Sequence, residues 1–476
     1  MATRGVHAHD QLYVGGRWVP ADRTRDVRDL AEGGTFATVA SATPEQAEEA
    51  LEAAQRAEVA MRESTVVQRA EWLGAIADGI EERADELADV IVREAGKPIG
   101  SARNEVNAAA ERFRRAVEEV RSLRGEYREG TTRGHEGWRA IVKPVPRGTV
   151  LCISPYNYPL STTALEVAPA LAAGNSVVLK PASQTPVSSK LLAEIVDDAG
   201  LPDGAFNYVS GPSGEIGDLL VGDDRVNAIA MTGSSAAGKH VARESGMVEL
   251  LMELGGNAPA VVFPDADLGE AAAGSAKGAL KYAGQRCSAV SRVLVHQSVH
   301  DELAGRIEGE MDKWRSGDLF DEGTAFGPLI DEGQAEWVEE LVDDAVERGA
   351  SVVRGGERDG QFFEPTLLTN VPHDARIVRE EQFGPVIPIV PFADEAEALE
   401  LANAGDLGLD AAVFTGDYDR AMRLAERIEA GAVRINGAPS HGLGDIPFGG
   451  VKDSGIGREG LGVSIESFVE RKTIVL

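Results

Sequence analysis

From Gly148 onward the chain alternates short β-branched runs with amphipathic helical stretches, and few folds accommodate that alternation. GTVLCI, NSVVLKP, AFNYVSG and RVNAIAM read as strands, with the helical VSSKLLAEIVDDAGL and SAAGKHVARESG set among them and VELLMEL closing the series. Strands spaced by helices in this way predict a parallel, helix-covered sheet. A second series begins after Gly255-Gly256: APAVVF, the helical LGEAAAGSAKGALKY, SRVLVHQ, helices over 299–314 and 334–348, PVIPIVPF, LDAAVFTG, the helical DRAMRLAERIEAG and AVRIN. The double glycine therefore predicts a domain boundary. Ahead of both series, residues 45–125 carry Ala, Leu and Ile at spacings of three and four among Glu and Arg, the period of amphipathic helices. WRAIVKPV (138–145) reads as extended, and the C-terminal FVERKTIVL as a strand with no partner evident from sequence.

The 476 residues leave room for about two to four domains, each with its own core. Composition narrows the partners. A net charge of −31 argues against nucleic acid or anionic lipid. Only ten of the 47 basic residues are Lys; so acidic and Lys-poor a chain is expected to be halophilic, suited to molar salt where the Debye length falls to about 3 Å. Two cysteines without a CxxC exclude a disulfide framework or a cysteine-rich zinc site. With no apolar leader and no run of 18 apolar residues, a cytoplasmic protein without a membrane partner is expected.

Several motifs carry or lack chemistry. Gly455-Ile-Gly457-Arg-Glu-Gly460 has GxGxxG spacing, but only sixteen residues follow, too few for a βαβ unit; it reads as a glycine-rich turn. Gly233-Ser-Ser-Ala-Ala-Gly238-Lys239-His240 nearly matches the GxxxxGK[ST] phosphate loop, yet His240 stands where a hydroxyl would ligate Mg²⁺. That mismatch argues against nucleotide hydrolysis, while helix N-terminal N–H groups remain able to hold a phosphate. His296 and His300 straddle a strand end, so no metal site is expected. Cys152, in VLCISP, reads as core. Cys287 adjoins Arg286, and a nearby cation favours thiolate. Glu253 ends the apolar run LLMEL, where it is either capped or tuned by burial for proton transfer. Asn157, between two prolines after a strand, can donate to an oxyanion or serve a turn.

Seven segments stand in a telling order: Ser154-Pro-Tyr-Asn157-Tyr-Pro159, Gly174-Asn175 with Leu179-Lys180-Pro181, Met231-Thr-Gly-Ser-Ser-Ala-Ala-Gly238, Glu253-Leu-Gly-Gly256, Gly284-Gln-Arg-Cys287, Glu381-Gln-Phe-Gly-Pro385 and Pro447-Phe-Gly-Gly-Val-Lys-Asp-Ser-Gly455. Together they resemble the aldehyde dehydrogenase superfamily, from about residue 12 to the end. The resemblance implies an α/β fold. A doubly wound NAD(P)-binding domain would span 1–120 and 145–253, and an α/β catalytic domain 254–445. A small bridging sheet from 121–144 and 460–476 would give homodimers or homotetramers. It also implies Cys287 as nucleophile, Asn157 with the Cys287 N–H as oxyanion donors, and Glu253 as the base that activates the hydrolytic water. NAD or NADP would lie on Ser154, Lys180, Ser183, Gly217, Gly233, Ser234, Glu381 and Phe383, and no metal is needed.

Ser183 stands where many NAD-using members carry Glu, and Met231 where Phe is frequent; Ser183 predicts that NADP is used at least as well as NAD. The Gln-Arg-Cys and Asn-Tyr-Pro segments look closest to the non-phosphorylating glyceraldehyde-3-phosphate and lactaldehyde group. Arg286, Tyr158, Arg114 and His441 are the expected substrate contacts. His441 occupies a loop where triose-phosphate members carry Arg, which favours lactaldehyde or a short semialdehyde over glyceraldehyde-3-phosphate. A CoA-acylating relative typically lacks a base at the Glu253 position, and a non-catalytic relative would not need Cys287, Glu253 and Asn157 together.

Overall fold

The computed structural model describes residues 7–440, 442 and 444–476. Four helices, Pro44–Glu63, Val66–Glu82, Ala84–Ala95 and Ile99–Ser122, occupy the stretch with helical periodicity. Thr43 and Thr65 start the first two through reciprocal capping boxes with Gln46 and Gln68. Gly96, in the left-handed conformation at φ 67°, stops the third.

The first of these helices packs on an eight-stranded sheet, ordered Gly455–Ile456, Glu249–Glu253, Val226–Thr232, Thr149–Ile153, Ser176–Lys180, Phe206–Tyr208, Gln11–Val14 and Arg17–Pro20. The other three pack on one another and on the helices Ser161–Ala172 and Val187–Asp198 that cover it. The five strands from Glu249–Glu253 to Phe206–Tyr208 are parallel. Chain order reverses beside Thr149–Ile153: the next strand lies on one side of it, and Val226–Thr232 on the other. Ligands of such sheets bind in the crevice outside the carboxyl ends at that reversal. Ser154, Gly233 and Leu254 are the first residues past those ends.

The second series forms a seven-stranded sheet, ordered Ser351–Arg354, Thr366–Thr369, Val386–Phe392, Val290–His296, Ala258–Val262, Asp410–Phe414 and Ala432–Ile435. All its neighbours are parallel except the first pair. Four of its helices start at aspartate caps, Asp267, Asp331, Asp394 and Asp417. The C-terminal strand Val469–Val475 finds its partner in Arg139–Pro146, with Val469 opposite Pro146 and Val475 opposite Ala140; Glu126–Glu129 completes that small sheet. The molecule is thus α/β, two mainly parallel sheets and a small antiparallel one.

Two features depart from the sequence reading. A ribbon of His7–His9, Arg23–Arg28 and Thr35–Ser41 precedes the helices, where no strands were expected. The glycine-rich 455–460 segment is not purely a turn: Gly455–Ile456 adds an antiparallel edge to Glu249–Glu253, setting Gly455 opposite Glu253. Among the described residues, no helix is long and apolar enough to cross a membrane, and no cluster of His, Cys, Asp or Glu could hold a metal.

Candidate active site

Helix Leu268–Leu280 runs into a tight turn, Lys281–Gly284, in which Tyr282 and Ala283 take left-handed angles, φ 55° and 51°. Such angles are strained for side chains with a Cβ and persist only where the surroundings fix them. Tyr282 is fixed: its hydroxyl donates to Ala95 O at 2.7 Å, and the Tyr158 ring meets it edge-on at 5.9 Å. The turn delivers Gln285, Arg286 and Cys287 ahead of the strand Val290–His296. Gln285 anchors there, its side-chain oxygen accepting from the Ile330 N–H at 2.9 Å. A Cβ on Gly256 would fall 2.2 Å from Cys287 O, so the two backbones can approach only at a glycine.

Cys287, Asn157 and Thr232 line two cavities at once, one of about 240 Å³ and one of about 800 Å³. Burial pushes the Cys287 thiol up to about 12; the Glu381 and Glu253 charges add to this and Arg286 opposes it. Asn157 Nδ2 donates to Gln285 O at 2.9 Å, which holds its amide against the cysteine loop. Glu253 ends its strand almost wholly buried, and neither carboxylate oxygen has a hydrogen-bond partner. Burial first, then the neighbouring Glu459, hold its carboxyl well above the ordinary range. Glu459, also on the smaller cavity, is itself raised by burial to about 7, with Arg112 pulling the other way. Cys152, by contrast, is sealed in the core.

The smaller cavity is rich in cations. Lys97 forms a fully buried ion pair with Glu105, under the Tyr158 ring at 3.5 Å. Glu105 also accepts from the Leu160 and Ser161 N–H groups at 3.0 and 3.2 Å, so that carboxylate is fully engaged. Among the described residues Arg286 has only neutral partners, Gly278 O, Ser288 Oγ and Pro439 O, at 3.4, 3.2 and 3.4 Å. Lys281, exposed at the wall, has no acid partner among the described residues. Arg112, buried, donates to Ser161 O, and its Nε is unpartnered.

The larger cavity is lined by Ser154, Lys180, Ser183, Ser213, Gly233, Ser234, Glu381 and Phe383, among others. Ser234 caps the helix Ser235–Glu244, accepting from Ala237 N–H at 3.2 Å, which turns that helix N-terminus toward the cavity. Lys239 is not part of it, being paired with Asp453, and His240 is held by Asp218 at 2.7 Å. Buried Lys180 donates to Ser213 Oγ at 2.9 Å and has no acid partner among the described residues; burial and Arg25 hold its ammonium down to about 8. Glu381 takes the Gly256 N–H at 2.8 Å and is raised to about 7 by burial. Ser154 Oγ and Thr232 Oγ1, on the cavity wall, are buried without partners among the described residues. Orphaned hydroxyls, an uncompensated Lys and a helix N-terminus suit a long ligand that carries phosphates and ribose hydroxyls.

Comparison with known proteins settles the family. The profile of the aldehyde dehydrogenase family matches residues 18–474. The chain belongs to the aldehyde dehydrogenase family. It is 38% identical over 465 residues to the NADP-dependent glyceraldehyde-3-phosphate dehydrogenase of Streptococcus equinus, covering 97% of this chain and 98% of that one. It is also 38% identical over 471 residues to the NADP(+)-dependent succinate-semialdehyde dehydrogenase of Escherichia coli K12, covering 97% and 96%. The crystal structure of the NADP-dependent glyceraldehyde-3-phosphate dehydrogenase of Bacillus halodurans C-125, complexed with NADP, superposes with a TM-score of 0.96 at 36% identity, covering 98% of this chain and 99% of that one.

In this aldehyde dehydrogenase the fold gathers Cys287, Glu253, Asn157, Tyr158 and Arg286 around the smaller cavity, and the expected cofactor residues around the larger, with two departures. Gly217 lies a turn inside the helix Ser213–Val221 and does not line the cavity; Ser213, at the helix start, does. Arg114 is not in the pocket. It sits on the outer face of Ile99–Ser122, paired with Asp78 and Glu81 at 2.9 and 2.7 Å. Two residues turn an α-helix by about 200°, so Arg112 and Arg114 face opposite ways, and Arg112 is the one on the cavity. His441 lies outside the described residues. Residues the sequence reading missed are Arg112, Lys281, Lys97 and Glu459 on the smaller cavity. On the larger it missed Gln334 and Trp337, which fasten the 381–383 segment by donating to Gln382 O and Glu381 O at 2.9 and 3.0 Å.

Proposed function

We propose that this aldehyde dehydrogenase oxidises a short aldehyde with a polar or anionic tail, lactaldehyde-like or a short semialdehyde, to its carboxylic acid, using NADP at least as well as NAD. One observation carries the substrate class. In a chain of net charge −31, Arg286 and Lys281 line the cavity beside Cys287 without an acid partner among the described residues. Their charge is uncompensated, and a carboxylate, phosphate or hydroxyl would meet it where an alkyl tail would not. The similar enzymes named for glyceraldehyde-3-phosphate and succinate semialdehyde point the same way, since both aldehydes are anionic.

Cys287 attacks the carbonyl carbon as thiolate, forming a C–S bond, and the carbonyl oxygen becomes an oxyanion facing the Asn157 amide and the Cys287 N–H. Arg286 is the one neighbour whose charge helps the thiol ionise. NAD(P), when bound on Lys180, Ser183, Ser213, Gly233, Ser234 and Glu381, supplies the acceptor for the hydride of the aldehyde carbon. The thioester left on Cys287 is opened by water, whose proton passes to Glu253 as the C–S bond breaks. A raised carboxyl with both oxygens free of hydrogen bonds suits that transfer. This base favours hydrolysis over acyl transfer to CoA.

Rates at 340 nm with lactaldehyde, succinate semialdehyde, glyceraldehyde-3-phosphate and hexanal, with and without CoA, test the reading. At least one polar aldehyde should exceed hexanal by about tenfold or more in kcat/KM, without CoA. Hexanal as the best substrate, or dependence on CoA, would refute it. If the phosphate ester wins, the triose phosphate replaces lactaldehyde as substrate. Cys287→Ala should abolish oxidation while cofactor still binds, and Cys152→Ala should keep most activity.

A further inference from the structure

One cation outside the expected set, Arg25, is bonded to the backbone of Ser183, which lines the cofactor cavity, although Arg25 itself stands behind that lining. Arg23 and Arg25 sit two apart on the strand Arg23–Arg28, so their side chains leave the same face. Arg23 is neutralised by Glu215 at 2.6 Å. Arg25 is not neutralised: its guanidinium donates to Ser183 O, its Nε is buried without a partner, and no acid pairs with it among the described residues. The acid whose charge it feels is Glu94, whose oxygens are already taken by the Val187 and Ser188 N–H groups at 2.8 and 3.1 Å.

Lys180 is the second uncompensated cation in this corner, bonded only to the Ser213 hydroxyl, and it is close enough to Arg25 for the two charges to oppose each other. Between them, Ser183 spends its hydroxyl proton on Gly211 O at 3.2 Å. Two like charges with reduced solvent access stay together at a free-energy cost unless an anion joins them. Although the chain has 78 acidic side chains, none forms an ion pair with Arg25 or Lys180 among the described residues. The larger cavity, lined by Lys180, Ala182, Ser183 and Gln184, ends at this loop.

We propose that Arg25, from the N-terminal ribbon, is a specificity residue for the 2′-phosphate of NADP, acting with Lys180 and Ser183. The proposal rests on the reading that NADP is used at least as well as NAD. Arg25 supplies a permanent cation with several N–H donors in a planar fork, whereas Lys180 supplies a single point charge that burial lowers to about 8. Its bond to Ser183 O also keeps the guanidinium docked on the loop that faces the ribose. NAD, with a neutral hydroxyl at that position, gains little from it.

The test compares wild type, Arg25→Gln and Arg25→Lys in KM for NADP and for NAD, and in inhibition by 2′,5′-ADP and 5′-AMP. Arg25→Gln should raise the NADP KM and the 2′,5′-ADP inhibition constant by about 10- to 100-fold, while NAD, 5′-AMP and kcat stay within about twofold. Arg25→Lys should recover part of the loss. Equal weakening of both cofactors would reduce Arg25 to a structural tie for the 181–184 loop, and no change in either would remove it from the site. A wild type that uses NAD far better and does not prefer 2′,5′-ADP over 5′-AMP would overturn the NADP reading itself, and this proposal with it. A wild type that favours NADP with an unaltered Arg25→Gln ratio overturns the Arg25 assignment alone.

Discussion

Gly449 is held against Glu253: a Cβ at position 449 would lie 2.6 Å from Glu253 Oε1, and its φ of 155° is itself unfavourable for any other residue. The carboxylate therefore occupies space that only a glycine leaves open. Gly449→Ala should push Glu253 out of the position from which we propose it activates water, without touching the cofactor cavity. Steady-state turnover is expected to fall about tenfold or more, with the NADP dissociation constant unchanged within about twofold. Full turnover in this variant would mean that Glu253 has room to move and still work.

The buried carboxyls predict a stability that falls toward alkaline pH. Glu459, Glu381 and Glu94 sit near 7 against an ordinary 4.5, and burial is the leading cause for each. Raised in the folded state, they bind more protons there than in the unfolded chain between pH 4.5 and 7. Stability from these groups is thus fully present below 4.5 and is lost as pH rises through 7. The melting temperature should be higher at pH 5.5 than at pH 8. Glu253→Gln removes one further raised carboxyl and should gain roughly 1–3 °C at pH 8 while converting turnover into a burst of reduced cofactor followed by a slow phase. A flat pH profile, or unchanged turnover, would contradict these assignments.

Arg112 and Arg114 separate a pocket residue from a surface one within a single helix. Arg112→Met leaves Ser161 O without its donor and removes the cation that lowers Glu459, so kcat/KM should drop about tenfold or more. Arg114→Met breaks only exposed pairs with Asp78 and Glu81 and should keep activity within about twofold. The reverse pattern would return Arg114 to the substrate site.

Much of this was legible in the residues, and the misses have physical reasons. Helix period already separated the two arginines: Glu105, Ala109, Arg112 and Ala116 recur at four, three and four along the buried face, whereas Arg114 falls between them. The parallel strands announced themselves because both faces are covered, which demands continuous runs such as SVVLK and AVRIN's neighbour DAAVF. The strand Arg23–Arg28 did not, because RTRDVR shows solvent on most of its positions and lacks a hydrophobic run. Gly217 was placed at the cofactor by the family resemblance alone, with no motif around it, and the start of the helix Ser213–Val221 sets Ser213 there instead. Lys281 and Trp337 carry no local signal: an exposed Lys and a single aromatic in an acidic helix become site residues only through contacts distant in sequence.

The last prediction follows from the excess of charge. At 0.1 M salt the Debye length is about 10 Å, so much of the −31 self-repulsion acts across the surface; at 2 M it is below about 3 Å and that repulsion is screened. Salt also weakens exposed attractive pairs, which pulls the other way. Those pairs are in contact, as Arg23–Glu215 at 2.6 Å and Arg423–Glu395 at 3.0 Å, which leaves no room for salt ions between the partners, whereas the repulsion comes from charges farther apart. The net effect should be stabilising. Melting temperature and activity are expected to rise from 0.1 M to about 2 M KCl, with a comparable rise in NaCl, since the screening depends on ionic strength rather than on the cation. Equal stability at both ends of the titration would show that the acidic surface is already neutralised by its internal pairs, and that its excess of Asp and Glu serves something other than life in salt.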